Sequence, residues 1–283
     1  MINNLSVVLV TFKPDLDILN KCLKSINEKI KIIIVDNSSK LKIDDLSQNT
    51  HKNISIIHNS NVGNGEGINV GVEAANCKYV LYLDVDSEID INFIENIYTY
   101  ANKIGDFAVL APMLEKYEYR KKDIKKNVNV EYNEMYFVEG AIMLINCDNT
   151  FKKNIVFDKK IFLYWEESDF LFQCIKNKQK VYLLKNLIAK HIGNSSVNKS
   201  YIDEINLNRN WHYLWSKFYY FNKNFGILYA YKETLRQFIS AIFKYFLYSL
   251  IKNDKSKIYK ERMSGLYNSY IGRSSFRRPN INN

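Results

Sequence analysis

Two stretches of the chain concentrate side chains able to do chemistry. In "KYVLYLDVDSEID", Lys78 to Asp90, a run suited to a buried strand ends in Asp84 and Asp86, one residue apart, with Glu88 and Asp90 just beyond. Carboxylates at a strand's end are costly to desolvate unless positive charge meets them, so a metal ion, a basic partner or plain water must face them. Hard cations such as Mg²⁺ or Mn²⁺ take oxygen ligands, and carboxylates at i and i+2 around a turn can address one ion and the sugar or phosphates it carries. Alone, the same D-x-D is also an ordinary solvated loop end. In "FLYWEESDFLFQ", Phe162 to Gln173, the acids Glu166, Glu167 and Asp169 crowd behind an aromatic run. Clustered carboxylates repel, which raises one proton affinity toward that of a general base. An acidic helix N-terminus favoured by the macrodipole gives the same pattern.

Further along, His191 follows the strand-like "KVYLL" and "LIA" and precedes "GNSS". A lone histidine is commonly structural, yet imidazole can join two carboxylates around a metal. The Gly-rich "NVGNGEG", Asn61 to Gly67, reads as a phosphate-cradling loop or as a structural turn. It lacks G-K-[ST] and does not open the first helix as G-x-G-x-x-G, so neither the P-loop nor the Rossmann reading stands.

The elements that must position these groups alternate. Apolar runs suited to buried strands recur at Leu5 to Phe12, Ile30 to Asp36, Asn53 to Asn59, Lys78 to Asp84 and Phe107 to Pro112, with helix-like stretches at Asp15 to Asn27, Gly65 to Asn76 and Asp90 to Asn102. That order predicts an α/β layer on a mostly parallel sheet flanked by helices. Such sheets bind ligands beyond the C-terminal ends of their strands, where this chain has polar residues. The charged stretch Glu115 to Glu134 has no clear period and reads as a mobile loop, and Met135 to Ile145 reads as one strand with Gly140 at its centre. After Asp203 the pattern turns to long aromatic-rich helices, roughly Glu204 to Tyr220, Leu228 to Ile251 and Lys255 to Tyr270. The expected division is a domain over 1–205 and a basic helical extension over 206–283. The final "RSSFRRPNINN" reads as frayed.

Composition narrows the class. Among 283 residues the net charge is +10, and from Asn206 onward 14 Lys and Arg face three acids, so the basicity belongs to the tail. Basic and aromatic residues together suit an anionic membrane surface. The most apolar stretch, Phe238 to Ile251, has 14 residues broken by Lys244, shorter than the roughly 20 a membrane span needs. Four cysteines stand far apart with no C-x-x-C, which argues against a zinc ribbon and a disulfide-stapled module and for a reducing compartment. No signal peptide is read at "MINNLSVVLVTF".

In order, "VVLVTFKPD", "IIIVDNSS", "NVGNGEGINVGVEAA", "YLDVDSEID", "FVEGAIMLI", "FLYWEESDF" and "AKHIGNSS" form a series over Leu5 to Ser196. It resembles the family 2 glycosyltransferases with a GT-A fold, including bacterial rhamnosyltransferase-like polysaccharide enzymes. The resemblance implies an inverting transfer from a nucleoside-diphosphate sugar, aided by a divalent cation, Mn²⁺ or Mg²⁺, to a saccharide or lipid-linked saccharide acceptor. It implies that Thr11 and Asp36 line the nucleotide base pocket, with Asp36 accepting from the base, and that Asn61, Gly63, Gly67 and Asn69 form the Asn/Gly loop near the nucleotide. Asp84 and Asp86 match the D-x-D, Asp84 for ribose or metal and Asp86 for direct metal contact, and His191 completes the metal site. Glu167 falls at the catalytic base, with Glu166 and Asp169 orienting it or binding acceptor hydroxyls. Gln173 stands where the family often has Arg, the acid pair is Glu-Glu in place of the commoner Glu-Asp, and the Q-x-x-R-W motif of processive synthases is missing. The expected setting is the cytoplasm, peripherally on the inner face of the cell membrane, with an oligomer open. A nucleic-acid binder using the basic tail is the rival reading, weakened by the acids at the strand ends, and a catalytically silent sugar-nucleotide module is another.

Overall fold

The computed structural model describes residues 4–46, 53–115, 117–193 and 196–281. The chain divides into two compact units, one of Met1–Val62, Glu66–Phe157 and Phe170–Asn198, the other of Gly63–Gly65, Asp158–Asp169 and Lys199–Asn283. In chain order the first unit contains β1 (Leu5–Thr11), α1 (Leu16–Lys24), β2 (Lys31–Asp36), β3 (Ile54–His58), α2 (Asn64–Ala75), β4 (Tyr79–Leu83), β5 (Ser87–Glu88), α3 (Phe93–Ile104), β6 (Val109–Leu114), β7 (Ile124–Asn127), β8 (Tyr132–Met135), β9 (Ile142–Asn146), α4 (Glu166–Lys176) and β10 (Val181–His191). The division cuts α2 and α4 near their N-termini.

The strands form one sheet in the order β3-β2-β1-β4-β9-β6-β10-β8-β7, with β5 paired to β10. Pairings among β3, β2, β1 and β4 are parallel, as is β10 with β6, whereas β9 runs antiparallel between β4 and β6. This is the α/β, mostly parallel architecture that the alternating runs predict. The buried strands alternate their side chains between two cores, because successive residues point to opposite faces. Val7, Leu9, Ile32, Ile34, Leu81 and Leu83 face Leu19 and Leu23 of α1 and Phe93 and Ile97 of α3. Val8, Ile33, Val35, Val80 and Tyr82 face Ile68 and Val72 of α2 and Phe170 and Leu171 of α4. Both faces are therefore dry, and strands that looked uniformly apolar had to lie inside the sheet.

Two expectations fail here. The stretch Glu115 to Glu134 is not a loop. It holds β7 and most of β8, an antiparallel pair that extends the sheet edge through β10. Ion pairs order it: Arg120 donates to both carboxylate oxygens of Asp123 at 3.0 and 3.1 Å, and Lys125 pairs with Glu134 at 2.7 Å. Charged residues on an edge hide the strand period while discouraging edge-to-edge pairing. The single strand expected over Met135 to Ile145 is two, β8 and β9, separated by an irregular connection that contains Glu139 and Gly140.

The second unit is built on α5 (Ile202–Phe225), α6 (Ile227–Leu250) and α7 (Lys255–Tyr270). Leu214, Phe218, Ala230 and Leu266 form its core, with Tyr231, Phe238 and Tyr270 packed around. Gly226, at φ 89°, turns the chain between α5 and α6, a conformation that favours glycine. Gly265 lets α7 lie close on α5, since a Cβ there would stand 2.3 Å from the Trp211 carbonyl oxygen. The C-terminal segment is irregular but engaged. Arg277 bridges Glu204 at 3.1 Å and Glu261 at 2.7 Å, and the Trp215 indole donates to the Arg273 carbonyl at 3.0 Å. Over Arg273 to Ile281 these partners overrule the fraying expected from composition; Asn282 and Asn283 lie outside the described residues.

Candidate active site

In the first unit the sheet register assembles a carboxylate–imidazole triad. Asp84 follows the fully buried β4 and its amide donates to the Ala141 carbonyl at 2.8 Å, which fixes the strand's last peptide. The Ser87 amide then donates to the Asp84 carbonyl at 2.9 Å, closing a tight turn over Asp84-Val85-Asp86-Ser87. β10 shifts register between Leu184 and Ile188 and runs on past the main sheet, so that His191 stands opposite Ser87 and Lys190 opposite Glu88. The Ile192 amide donates to the Asp86 carbonyl at 3.1 Å and completes the clasp. As a result His191 Nε2 lies 3.2 Å from Asp86 Oδ1 and 3.5 Å from Asp84 Oδ2. One ligand atom from each of the three residues falls within 4.8 Å of the others.

Around Asp84, burial and negative charge outweigh the groups that oppose them. Desolvation pushes the Asp84 carboxyl up to about 6, helped by the negative charges of Asp86 and Glu139 and opposed by the Tyr82 hydroxyl, which donates to Asp84 Oδ1, and by His191. The hydrogen bond to Asp86 holds the His191 imidazole above its ordinary value, against desolvation. Protons are thus retained where a cation would otherwise sit. Two carboxylates and one imidazole, converging at this spacing, fit a hard or borderline divalent ion such as Mn²⁺ or Mg²⁺. Cys22 lies beneath the turn, but burial and the nearby acids push its thiol up to about 12, so it offers no thiolate.

Around this triad the structure adds residues that sequence reading passed over. Tyr82 orients Asp84 from two residues upstream. Glu139, half-buried in the β8–β9 connection, is raised by burial and opposed by a hydrogen bond from Tyr117 and the charge of His191. No sequence signal beyond "VEGA" marks it.

The residues assigned to the nucleotide pocket occupy different situations. Thr11 and Asp36 end adjacent strands in register, and the Thr11 hydroxyl donates to Asp36 Oδ1 at 3.2 Å. Asp36 is fully buried and also receives the Ser38 amide and hydroxyl and the amides of Lys40 and Leu41, at 2.6 to 3.0 Å. Burial would raise this carboxyl, but the bonds from the Ser38 hydroxyl and the Leu41 amide hold it below the usual range. Five donors make Asp36 the organiser of the loop that follows β2. Ser196 and Asn198 run beside this strand end, where Asp15 donates to the Ser196 carbonyl at 3.3 Å and Asn198 to the Lys13 carbonyl at 3.0 Å. Asn194 and Ser195 of the "GNSS" motif lie outside the described residues. Gly67 sits in α2 against β1, where a Cβ would stand 2.7 Å from a Val10 methyl. Asn69 donates to the Phe157 carbonyl at 2.9 Å and accepts from its amide at 3.0 Å. These two hold the fold through packing and backbone pairing. Asn61 is half-buried in the connection before α2.

In the second unit the acidic segment has a clasp of its own. Gly63, at φ 95°, lies so close to Phe162 that a Cβ would stand 2.2 Å from its carbonyl oxygen, and the Asn64 amide donates to that oxygen at 2.9 Å. The Asn64 side chain then donates to Glu166 Oε1 at 3.1 Å. Gly63 and Asn64 therefore steady Glu166 and the segment that carries it. Tyr164 and Trp165, just before α4, both take left-handed backbone, at φ 63° and 69°, a strain that marks an over-determined site. The Trp165 ring packs against Tyr220 and Phe221 at 5.2 and 5.4 Å. Asp169 is fully buried, and it accepts from Lys223 at 2.7 Å and from Asn224 at 2.9 Å. Lys223 also reaches Asp158 at 2.7 Å. Glu166 is buried, whereas Glu167 stays partly exposed. Lys223 and Asn224 carried no sequence signal except one more charge in a basic tail.

A model of glycosyl transferase family 2 matches residues 6–165. The chain belongs to that family. It is 22% identical over 220 residues to the dTDP-rhamnosyl transferase RfbF of Shigella flexneri, covering 70% of this chain and 72% of that protein. Its fold is similar to that of S. aureus TarS 1–349 in complex with UDP-GlcNAc, with a TM-score of 0.52 at 13% identity over 95% of this chain and 92% of that one. It is also similar to GalNAc-T7 with UDP, GalNAc and Mn²⁺, with a TM-score of 0.51 at 14% identity over 66% of this chain and 43% of that one. The fold of this family 2 glycosyltransferase is GT-A.

Proposed function

We propose that this glycosyltransferase is an inverting, non-processive, metal-dependent enzyme that moves a hexosyl or deoxyhexosyl group from a nucleoside-diphosphate sugar to a saccharide acceptor in cell-surface polysaccharide synthesis. The observation that carries the reading is the meeting of Asp84, Asp86 and His191 within 4.8 Å. Asp86 and His191 would hold a divalent cation directly, and Asp84 would share it or take the donor's ribose. Bound there, the cation supplies Lewis-acid stabilisation of the leaving diphosphate.

The rest of the chemistry falls to the chain. Thr11 and Asp36 shape the base pocket, Asp36 through the loop it organises. Glu167 takes the proton from an acceptor hydroxyl as that oxygen attacks the anomeric carbon opposite the leaving group, so one displacement inverts the centre. Partial exposure suits Glu167 to this role, while Glu166, held by Asn64, keeps the segment in place. Asp169 contributes through its pairing with Lys223. The transfer chemistry is assigned to 1–205 and contact with the acceptor's membrane to the basic extension 206–283. Because the tail's basic residues suit anionic lipid, a lipid-linked acceptor at the inner face of the cell membrane is the favoured substrate.

Titration calorimetry with Mn²⁺ and a panel of sugar nucleotides, beginning with dTDP-rhamnose and UDP-GlcNAc, tests this on the wild type and on Asp86→Ala. Metal-dependent binding of one donor, lost in the variant, is expected. Equal binding by both proteins would remove Asp86 from the metal site.

A further inference from the structure

Helix α6 presents a long apolar stripe to solvent. Leu228, Leu235, Ile239, Phe243, Phe246 and Leu250 follow one another at intervals of 7, 4, 4, 3 and 4 residues, the rhythm of a single helix face. All six are exposed, Leu228 by 83%, Phe243 by 66% and Leu250 by 81%. From Leu228 to Leu250 the stripe runs about 33 Å. Contiguous apolar surface of this extent is rare on a protein that meets only water.

Cations flank it. A shallow groove of about 760 Å³ along the stripe includes Lys232 and Arg236. Beside it, a recess of about 340 Å³ is lined by Arg236, Lys244 and Arg262 together with Tyr213, Gln237 and Tyr259. Lys244 and Arg262 stand 5.2 and 5.6 Å from the centre of the one Tyr259 ring. Arg262 donates to Asn210 at 2.7 Å. Among the described residues, none of Arg236, Lys244 and Arg262 has a carboxylate within ion-pair distance, in contrast to Arg277, which has two. Three cations gathered in one recess without an acid repel one another unless an anion joins them.

We infer that α6 lies in the interfacial layer of an anionic bilayer, its stripe among the acyl chains and Arg236, Lys244 and Arg262 on lipid phosphates. The inference rests on the reading above for the acceptor's location and gives that reading its contact surface. A bilayer supplies an apolar layer and phosphates within about 5–10 Å of each other, which is the pairing this helix displays. A second copy of the chain meets the stripe less well, because a two-fold pairing of α6 helices would bring together two elements that each carry Lys232, Arg236 and Lys244 against the single acid Glu233. A nucleic acid would satisfy the cations and leave the leucines in water. Among the described residues no helix is long and apolar enough to cross a membrane, so α6 lies along the surface.

The test is co-sedimentation of the full chain with vesicles of equimolar phosphatidylglycerol and phosphatidylcholine, or of phosphatidylcholine alone. Binding is expected with the first composition and weakened at high salt. Each cation near an anionic surface contributes on the order of fivefold, so Arg236→Gln/Lys244→Gln/Arg262→Gln should bind on the order of 100-fold more weakly. Ile239→Gln/Phe243→Gln, which removes apolar groups and no charge, should also lose binding. Should the triple variant lose helicity by circular dichroism, Leu228→Gln/Leu250→Gln takes its place, with loss again expected. Failure of the wild type to sediment, equal sedimentation of the variants, or a solution dimer broken by Phe243→Gln would overturn the inference. Donor binding by calorimetry on the same preparations separates the two readings: vesicle binding without donor binding sinks the transferase assignment and leaves this one standing.

Discussion

Replacing Lys223 by Met keeps most of the aliphatic stem and removes the ammonium that joins Asp158 to Asp169. The cost can be apportioned from the geometry. Asp169 is fully buried and would keep only the Asn224 amide, at 2.9 Å. Asp158 is 15% exposed and would keep the Tyr219 hydroxyl at 2.9 Å and the Lys160 amide at 2.9 Å. Most of the penalty therefore falls on Asp169. Stranding a buried charge in this way costs about 3–5 kcal/mol, and a charged hydrogen bond lost at a partly solvated group adds about 1 kcal/mol at most. A total near 4 kcal/mol is expected. Adding Asp169→Asn to Lys223→Met removes the stranded charge while keeping an acceptor for Asn224, and should recover about 2 kcal/mol. All three tryptophans, Trp165, Trp211 and Trp215, belong to the second unit, so urea unfolding followed by tryptophan fluorescence reads it selectively. A loss below about 1 kcal/mol for Lys223→Met, or no recovery in the double variant, would show that the pair is solvated and that Asp169 is not held as described.

Three more outcomes follow from the site. Gly63→Ala places a Cβ where the Phe162 carbonyl stands and forces a side chain to φ 95°, so a loss of about 2 kcal/mol or more is expected in the same assay; wild-type stability would refute the clasp. Glu167→Gln should lower kcat about 10²- to 10⁴-fold in a transfer assay while leaving metal and donor binding intact, and an unchanged rate would move the base elsewhere. Both Asp84, pushed up to about 6, and His191, raised above its ordinary value, hold protons more tightly in the fold than free. Protonation and Mn²⁺ therefore compete, so Mn²⁺ affinity by calorimetry should rise from pH 5 through the histidine range and level off above it. For these two groups the same signs give a contribution to metal-free stability that is lost as pH rises from about 4 past 6.5, and Mn²⁺ should offset that loss; a metal affinity flat over this range would refute the coupling.

Much of the first unit was legible because its information is local. Runs such as "KIIIVD" and "YVLYL" are apolar on both faces and end in acids, which places them inside a sheet with their ends at a ligand site. What the sequence concealed depends on partners far along the chain. β9 reads like any buried strand, and only its antiparallel slot between β4 and β6 separates it from the parallel set. The hairpin of β7 and β8 was hidden by charges that pair across it. His191 was visible as a residue, but its arrival at Asp86 depends on the register shift within β10 and the short pairing with β5. Glu139, Asn64 and Lys223 were not marked individually by the stretches they stand in, because each acts through a neighbour that the fold supplies.

The acids picked out at the strand and helix ends divide by what meets them. Asp36 receives five donors and Asp169 a lysine and an amide, an environment that stabilises a carboxylate as it stands. Asp84 meets the Tyr82 hydroxyl, the His191 imidazole and the negative charges of Asp86 and Glu139, and burial pushes its carboxyl up to about 6. A fold tolerates such an arrangement at a cost in stability, and the cost is reversed when a cation arrives. Asp84→Asn should therefore stabilise the metal-free first unit near pH 8 and weaken its stabilisation by Mn²⁺. Thermal unfolding of the wild type and the variant, each with and without Mn²⁺ and followed by far-ultraviolet circular dichroism, checks both halves. A variant less stable than wild type without metal would mean that Asp84 supports the fold as a carboxylate, and the D-x-D would lose its electrostatic case for a bound ion.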